Sequence, residues 1–468
     1  SSQTHVYYLN SVASANIYGG NSTDNLISVN QLAGMVPLSG SSYFMDIFNA
    51  GGTFWEYDRL FTSVDALPYQ FAHLIDNKCE KTYSYAMQIS VDGYHLVDSV
   101  AKFNGIATSA YNNIYYGGDG RYRLTADINY NGGAYSIKGD YTGILDGNGH
   151  TVSNAAEINS GSYTLLGMFN RILGNAQVRD LNISNIGVTN SSENSDASAG
   201  ILAGRIGLGA IIENVTIQGG WVQSRNNTGG LAGSITSVDS ATGGYISGVA
   251  VVNTNINLSA DTEPNCPTGG FVGWCNGGQI RSSYYAHSSL NTGDGNTSIW
   301  GVWKVGGFVG VVDGSTNISN CFAYGSVYSG RRTSSGLDSD RDSVGGFVGI
   351  NNSSVATISN CYANVVISGY GDRHSLTQQT YYRSRGFGHD SGGGNFSNNY
   401  CFNGSNGNQG AGATELSADQ LRSQGSFSGW DFTNTWQMSS SGTIPFGMPV
   451  PRATTQTTVQ TGNITIST

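Results

Sequence analysis

Asp338, Asp340 and Asp342 alternate with Ser339 and Arg341, so three carboxylates fall within five residues. Alternating aspartates in a loop can converge their oxygens on a hard cation, and Ca2+ is the expected ligand. An EF-hand would add a glycine and a later glutamate at set positions. Neither follows here, so a solvated loop is the competing reading. The six cysteines are a second chemical group. Cys321, Cys361 and Cys401 are spaced 40 residues apart, in the contexts Ser319-Asn320-Cys321-Phe322, Ser359-Asn360-Cys361-Tyr362 and Asn399-Tyr400-Cys401-Phe402. If one repeat makes one coil, these cysteines stack about 4.8 Å apart, the inter-strand distance. They then form either a buried thiol ladder or a ladder containing one disulfide, since bridged Cα atoms lie roughly 4.4–6.8 Å apart. Cys266 and Cys275 could close a short loop as a disulfide. No Cys-x-x-Cys pair occurs, so a zinc site is not expected.

Asp140 and Asp146 could serve as the carboxylate pair of a polysaccharide lyase or hydrolase, because parallel β-helices often host such enzymes. The plainer reading of Asp146-Gly147 is a tight turn. No Ser/His/Asp arrangement or His-Glu-x-x-His signature occurs, and the seven histidines are scattered. No catalytic residue is therefore assigned, and the chain is expected not to be an enzyme. Tyr111, Tyr115, Tyr116, Tyr122, Tyr130 and Tyr135 crowd one region. Exposed rings there could pack on sugar faces, and buried ones would be ordinary strand packing.

The elements that would position these groups come from a repeat. Gly269-Gly270-Phe271-Val272-Gly273 returns at Gly306–Gly310 and Gly345–Gly349, with looser copies at Gly200–Gly204 and Gly229–Gly233 and a decayed one at Arg385-Gly386-Phe387-Gly388. A period near 40 residues predicts a solenoid, in which each unit buries its apolar face against its neighbours. Phe and Val should point to a stacked interior, and the glycines should supply the turns. Each repeat holds three β-prone runs, such as Phe308–Val312, Asn317–Ala323 and Ser326–Ser329, which predicts a parallel β-helix with three strands per turn. The fold class is thus all-β: a parallel β-helix with short capping helices and a small β-rich or mixed N-terminal domain.

Composition agrees with an ordered, turn-rich chain. Charged residues are 11% and glycines number 67 against 7 prolines, yet aromatic residues reach 11%. A net charge of −10 without a Lys/Arg-rich stretch argues against nucleic acid. No run of 18 apolar residues predicts a membrane span. The chain starts Ser1-Ser2-Gln3, which fits a processed start. Expected regions are a domain over 1–90, a cap and first coils over 91–160, repeats over 161–404, a C-terminal cap over 405–450 and a β-prone tail over 451–468. Within 1–90, Asn30–Ala33 is expected to form a short helix. Leu96, Val100 and Phe103 share one helical face, and Asp419–Arg422 reads as a second short helix. Phe427, Trp430, Phe432 and Trp436 should close the far end. In the tail, Val459, Ile464 and Ile466 could add a strand to a neighbouring subunit's open edge.

Taken together, Leu124–Ile128, Leu145–Val152, the Gly-Gly-Phe-Val-Gly units, the Ile-Ser-Asn-Cys-Tyr-Ala units and Trp430-Asp431-Phe432 resemble the GLUG-repeat family across about 91–448. That resemblance implies a secreted or surface-attached β-helix of adhesin-like type and supplies no catalytic residues. The expected function is a non-enzymatic extracellular structural or adhesive solenoid, partnered with itself, other surface proteins or glycans. A β-helix lyase or hydrolase and a glycan-binding module are the alternatives. No cofactor beyond Ca2+ is expected.

Overall fold

The structure, a computed structural model, describes four short strands before residue 90 and most of 90–452. The intervals 107–117, 259–265, 289–297, 330–342, 370–383 and 406–409, several shorter gaps and 453–468 lie outside the described residues. Asp338, Asp340, Asp342, Val459, Ile464, Ile466 and the helix expected at Asn30–Ala33 all fall there. The chain divides into two compact units, one of 1–128 with 143–145 and one of 129–142 with 146–468.

In the first unit, Tyr7–Leu9 pairs in parallel with Asn25–Ile27, and Trp55–Tyr57 pairs antiparallel with Pro68–Gln70. His95–Val97 pairs in parallel with Arg121–Leu124. The single helix expected around Leu96, Val100 and Phe103 is therefore split. Leu96 lies in the strand, and helix α1 spans Val100–Gly105. Ser99 sets the break, because its hydroxyl caps the Lys102 amide and fixes the helix start.

The second unit is a parallel β-helix with three walls. Counting the coil that opens at Lys138 as the first, later coils open at Phe169, Ala203, Ala232, Val272, Val309, Val348 and Gly388. Opening strands pair with their counterparts one coil on, as Ala232↔Val272↔Val309↔Val348 shows for the first wall. The second wall begins with 151–153, 182–184, 216–218, 250–252 and 284–286, and the third with 198–199, 227–229, 267–269, 304–306 and 343–345. The expectation of three strands per turn holds for the walls. The first and second walls each carry two strands per coil in the early repeats, which fuse into Val272–Arg281, Val309–Ser319 and Phe322–Ser329 in later ones.

Phe271, Phe308, Phe347 and Phe387 form a continuous buried ring stack, with centroids 4.5, 4.8 and 5.0 Å apart. Each buried Phe contributes roughly 1.5–3 kcal/mol by area. Leu202 and Leu231 precede them in the same slot, as the Leu202 amide donates to Leu231 and the Leu231 amide to Phe271. The flanking glycines play a different part from the one expected. None of Gly269, Gly306 or Gly345 has a positive φ. A Cβ on any of them would instead strike the carbonyl oxygen of Val272, Val309 or Val348. Glycine is required there for close approach of backbones.

The corners fall to other residues. Asp180, Asn214, Ser282, Asn320, Asn360 and Asn398 all have φ between 48° and 55°, with Gly248 in the same series at 65°. Asn and Asp tolerate this left-handed conformation best among non-glycine residues. A second corner series is bonded side chain to side chain: Asn185 Nδ2 donates to Asn154 Oδ1 (3.2 Å), and Asn154 Nδ2 to Asn129 Oδ1 (3.2 Å).

The C-terminal segment adds the strand Ala413–Leu416 beside Asn399–Phe402. Helix α2, Ala418–Leu421, follows with a reciprocal Ser417/Gln420 capping box. A hairpin of Trp436–Met438 with Pro449–Pro451 ends it. These residues were expected to close the far end of the solenoid. The strand Ala413–Leu416 does lie beyond the last coil, but the aromatic residues that follow pack along the outer side of the second wall. Tyr284, Phe322 and Tyr362 stack on that side at 4.7 and 4.9 Å, and Phe427, Trp430 and Trp436 close over Tyr362 at 6.1–6.2 Å. The Tyr362 hydroxyl donates to Pro449 O (2.7 Å), and Trp430 Nε1 donates to Asn398 O (2.9 Å).

Candidate ligand-binding face

The stacked cysteines are two rather than three. The slot just past the corner holds Leu181, Val215, Val249, Ser283, Cys321, Cys361 and Asn399 in successive coils, traced by amide-to-carbonyl bonds such as Tyr362 N to Cys321 O and Tyr400 N to Cys361 O. Cys321 and Cys361 are 40 residues apart, but the next coil is two residues shorter, so Asn399 takes the slot. Cys401 is displaced to the interior beside Ala363. The slot's polar members do hydrogen-bonding work. Ser283 Oγ, Cys321 Sγ and Cys361 Sγ each donate to the carbonyl two residues back, at 2.8, 3.1 and 3.2 Å. Each of Ser283, Cys361 and Asn399 accepts the slot amide of the coil before it, at 3.1, 3.4 and 3.0 Å. The thiols thus behave as hydroxyl equivalents and not merely as small apolar residues.

Cys266 and Cys275 are separate free thiols, against the disulfide reading. The turn between them sends one to the third wall and the other to the first. Cys266 donates to Arg225 O (3.2 Å) and Cys275 to Gly277 O (3.4 Å). Burial pushes the Cys275 thiol up to about 12, and burial followed by the Glu415 charge does the same for Cys401.

Asp140 and Asp146 do not converge. Each meets an arginine one coil on: Asp140 receives a bidentate pair from Arg171 (Nε to Oδ1, 2.7 Å), and Asp146 pairs with Arg179 (3.0 Å). The bond to Asp140 raises the Arg171 guanidinium further above its ordinary value. The row continues through Glu213, which accepts from the Tyr245 hydroxyl (2.6 Å), to Arg281 lying 4.2 Å over the Tyr245 ring. This is a charged rail binding coil to coil along the first wall. Among the described residues no group of three or more His, Cys, Asp or Glu is placed to hold a metal. Of the crowded tyrosines, Tyr122 and Tyr130 are buried, so they pack as strand residues, while Tyr111, Tyr115 and Tyr116 lie outside the described residues. Sequence reasoning passed over Lys138. It is wholly buried with Nζ 5.1 Å from the Tyr135 ring, and burial holds its amine well below the ordinary lysine range. One lysine without periodic context leaves no mark in the sequence.

An exposed row of side chains lies on the later strands of the second wall. Gly187, Trp221 and Asn255 are in register there, and Thr189, Gln223, Asn257 and Trp300 form the adjacent row. Trp221 is 41% exposed. Its ring lies across Gly187, where any Cβ would collide with it. Asn255 is also exposed, and Gln223 and Asn257 are half-buried. The Thr189 hydroxyl donates to the carboxylate of Glu157. The signal for this site, a lone Trp following Gly219-Gly220, was visible but had no repeat partner to mark it.

Among the described residues, no helix is long and apolar enough to cross a membrane. No family model matches the chain. A stretch of 174 residues, 34% of this chain, is 30% identical to Halomucin of Haloquadratum walsbyi, and it spans 2% of that protein's length. Among solved structures, a candidate immunoglobulin A1 protease from Bacteroides ovatus aligns over 78% of this chain and 93% of its own, at 18% identity and a TM-score of 0.47.

Proposed function

We propose that this protein is a non-enzymatic extracellular β-solenoid with a structural and adhesive role. The observation that carries this is the use made of its polar side chains. The charged rail, the corner asparagines and the Ser283/Cys361/Asn399 slot all bind one coil to the next. Such chemistry builds a stiff rod and leaves the outer walls for contact. The local likeness to Halomucin and the resemblance to GLUG repeats support a surface setting. The same reading includes head-to-tail joining through a strand added by Val459, Ile464 and Ile466, and Ca2+ held by Asp338, Asp340 and Asp342. Electron microscopy of the full chain beside a version lacking 453–468 tests the assembly. Rods from the full chain alone are expected, and equal assembly by both would overturn strand addition. Isothermal titration with CaCl2 tests the cation, and no heat of binding would remove it. Incubation with polysaccharides tests the central claim, since release of oligosaccharide products would make the protein an enzyme.

A further inference from the structure

We propose that the strip around Trp221 binds a neutral, flat, β-linked glycan. The inference rests on the adhesive reading and names the ligand class for it. Three observations meet at this place. First, Trp221 is presented flat and open, seated on Gly187 in the preceding coil, where only a residue without a Cβ leaves room for the ring. An indole held this way offers a broad apolar plate at little entropic cost, matched to the C–H face of a pyranose.

Second, amides surround that plate. Asn255 lies in register with Trp221, Gln223 is two residues along the same strand, and Asn257 is in register with Gln223. None of these three side-chain amides hydrogen-bonds within the described residues, although amides elsewhere in the solenoid are bonded coil to coil. Each offers both donor and acceptor, the complement of sugar hydroxyls. Third, the charge is one-sided. A carboxylate stands at the strip, Glu157, which accepts from the Thr189 hydroxyl, so acidic sugars would meet repulsion there while neutral ones would gain an acceptor.

The shape of the glycan follows from the wall. Parallel strands stacked about 4.8 Å apart repeat the strip's positions as an axial ladder along the solenoid. A β-1,4-linked chain of equatorial sugars is a straight ribbon and can lie along it. An α-1,4-linked chain curves and loses contact after the first ring.

Isothermal titration of the full chain with cellohexaose, with maltohexaose as the curved control, tests the proposal. Saturable binding of cellohexaose is expected, with maltohexaose weaker. Trp221→Ala should weaken cellohexaose binding at least about tenfold, or 1.4 kcal/mol. Gly187→Val should weaken it comparably by displacing the Trp221 ring without removing it, and Trp221→Phe should retain part of it. Circular dichroism confirms that each variant is folded. No saturable binding by the wild type, equal binding by folded Trp221→Ala, or equal binding of the two sugars would overturn the site. Cleavage of cellohexaose would overturn the non-enzymatic reading while leaving the site standing, so the two failures are distinguishable.

Discussion

The second wall keeps the same strand register in its early and late coils but presents contrasting outer sides. At matched positions, coils 1 to 3 present Thr151, Asn182 and Thr216, and coils 5 to 8 present Tyr284, Phe322, Tyr362 and Tyr400. The inner side does not change character. Val152, Ile183, Ile217, Val251, Tyr285 and Ala323 are all buried. The inside of a solenoid is thus dictated by stacking, while the outside is dictated by whatever covers it. Thr151, Asn182 and Thr216 stay partly exposed, whereas the segment from Leu416 to Met448 covers the late coils.

Breaking the shared interior should have the largest effect. Phe308→Ala removes the middle of the four-ring stack and should cost about 3–5 kcal/mol in chemical denaturation. A loss below 1 kcal/mol would mean that the stack closes over the gap. The comparison itself is tested by a matched pair. Tyr362→Ala opens the covered outer side and loses the bond to Pro449, for about 3 kcal/mol. Thr216→Ala, at the equivalent uncovered position, should stay within about 0.5 kcal/mol. Similar losses from both would erase the distinction between the two regions.

Alkali should separate the regions along the chain. Cys275 and Cys401 rise from 9.0 to about 12 on burial. A folded value above the unfolded one means that the unfolded chain releases its proton first. Their contribution is therefore complete below about pH 9 and is lost as pH rises toward 12. At pH 10 each such thiol removes about 1.4 kcal/mol. Hydrogen exchange at pH 10 should loosen coils 5 to 8 before coils 2 and 3, and uniform protection would contradict this. A finer probe is the corner slot. Cys361→Val strands the Cys321 amide and should cost about 1–3 kcal/mol, whereas Cys361→Ser should come close to wild type. The smallest effect is expected on the exposed rail, where Arg171→Ala should cost less than about 1 kcal/mol and vanish in high salt.

The interior was legible in the sequence because Phe271, Phe308 and Phe347 repeat within identical pentapeptides. The α2 helix was legible as well, since Ser417 and Gln420 carry a local cap signal. The cap's location was not. Phe427, Trp430 and Trp436 announce burial, but only pairing in space shows that their partners are Tyr362 and Tyr400. Cys401 misled for a related reason. Its 40-residue spacing fits the period, yet a loop two residues shorter gives the slot to Asn399, and the corner conformation of Asn398 decides the register. The strip at Trp221 left little trace because Gly187, Trp221 and Asn255 are different residue types that become neighbours only through coil stacking.

The grip of the C-terminal segment also limits how such a protein can change its reach. Within the walls each described coil pairs its strands with those of the coils before and after it, so gaining or losing a coil would lengthen or shorten the solenoid by one strand spacing, about 4.8 Å, without a new core. Upstream of Tyr284 the cluster gathered by the C-terminal segment has no described member. Between Tyr284 and Tyr400 such a change would slide the rings out of step with Trp430 and Trp436, which hold them as a set. The early coils are the adjustable part of the ruler, and the late coils are its fixed end.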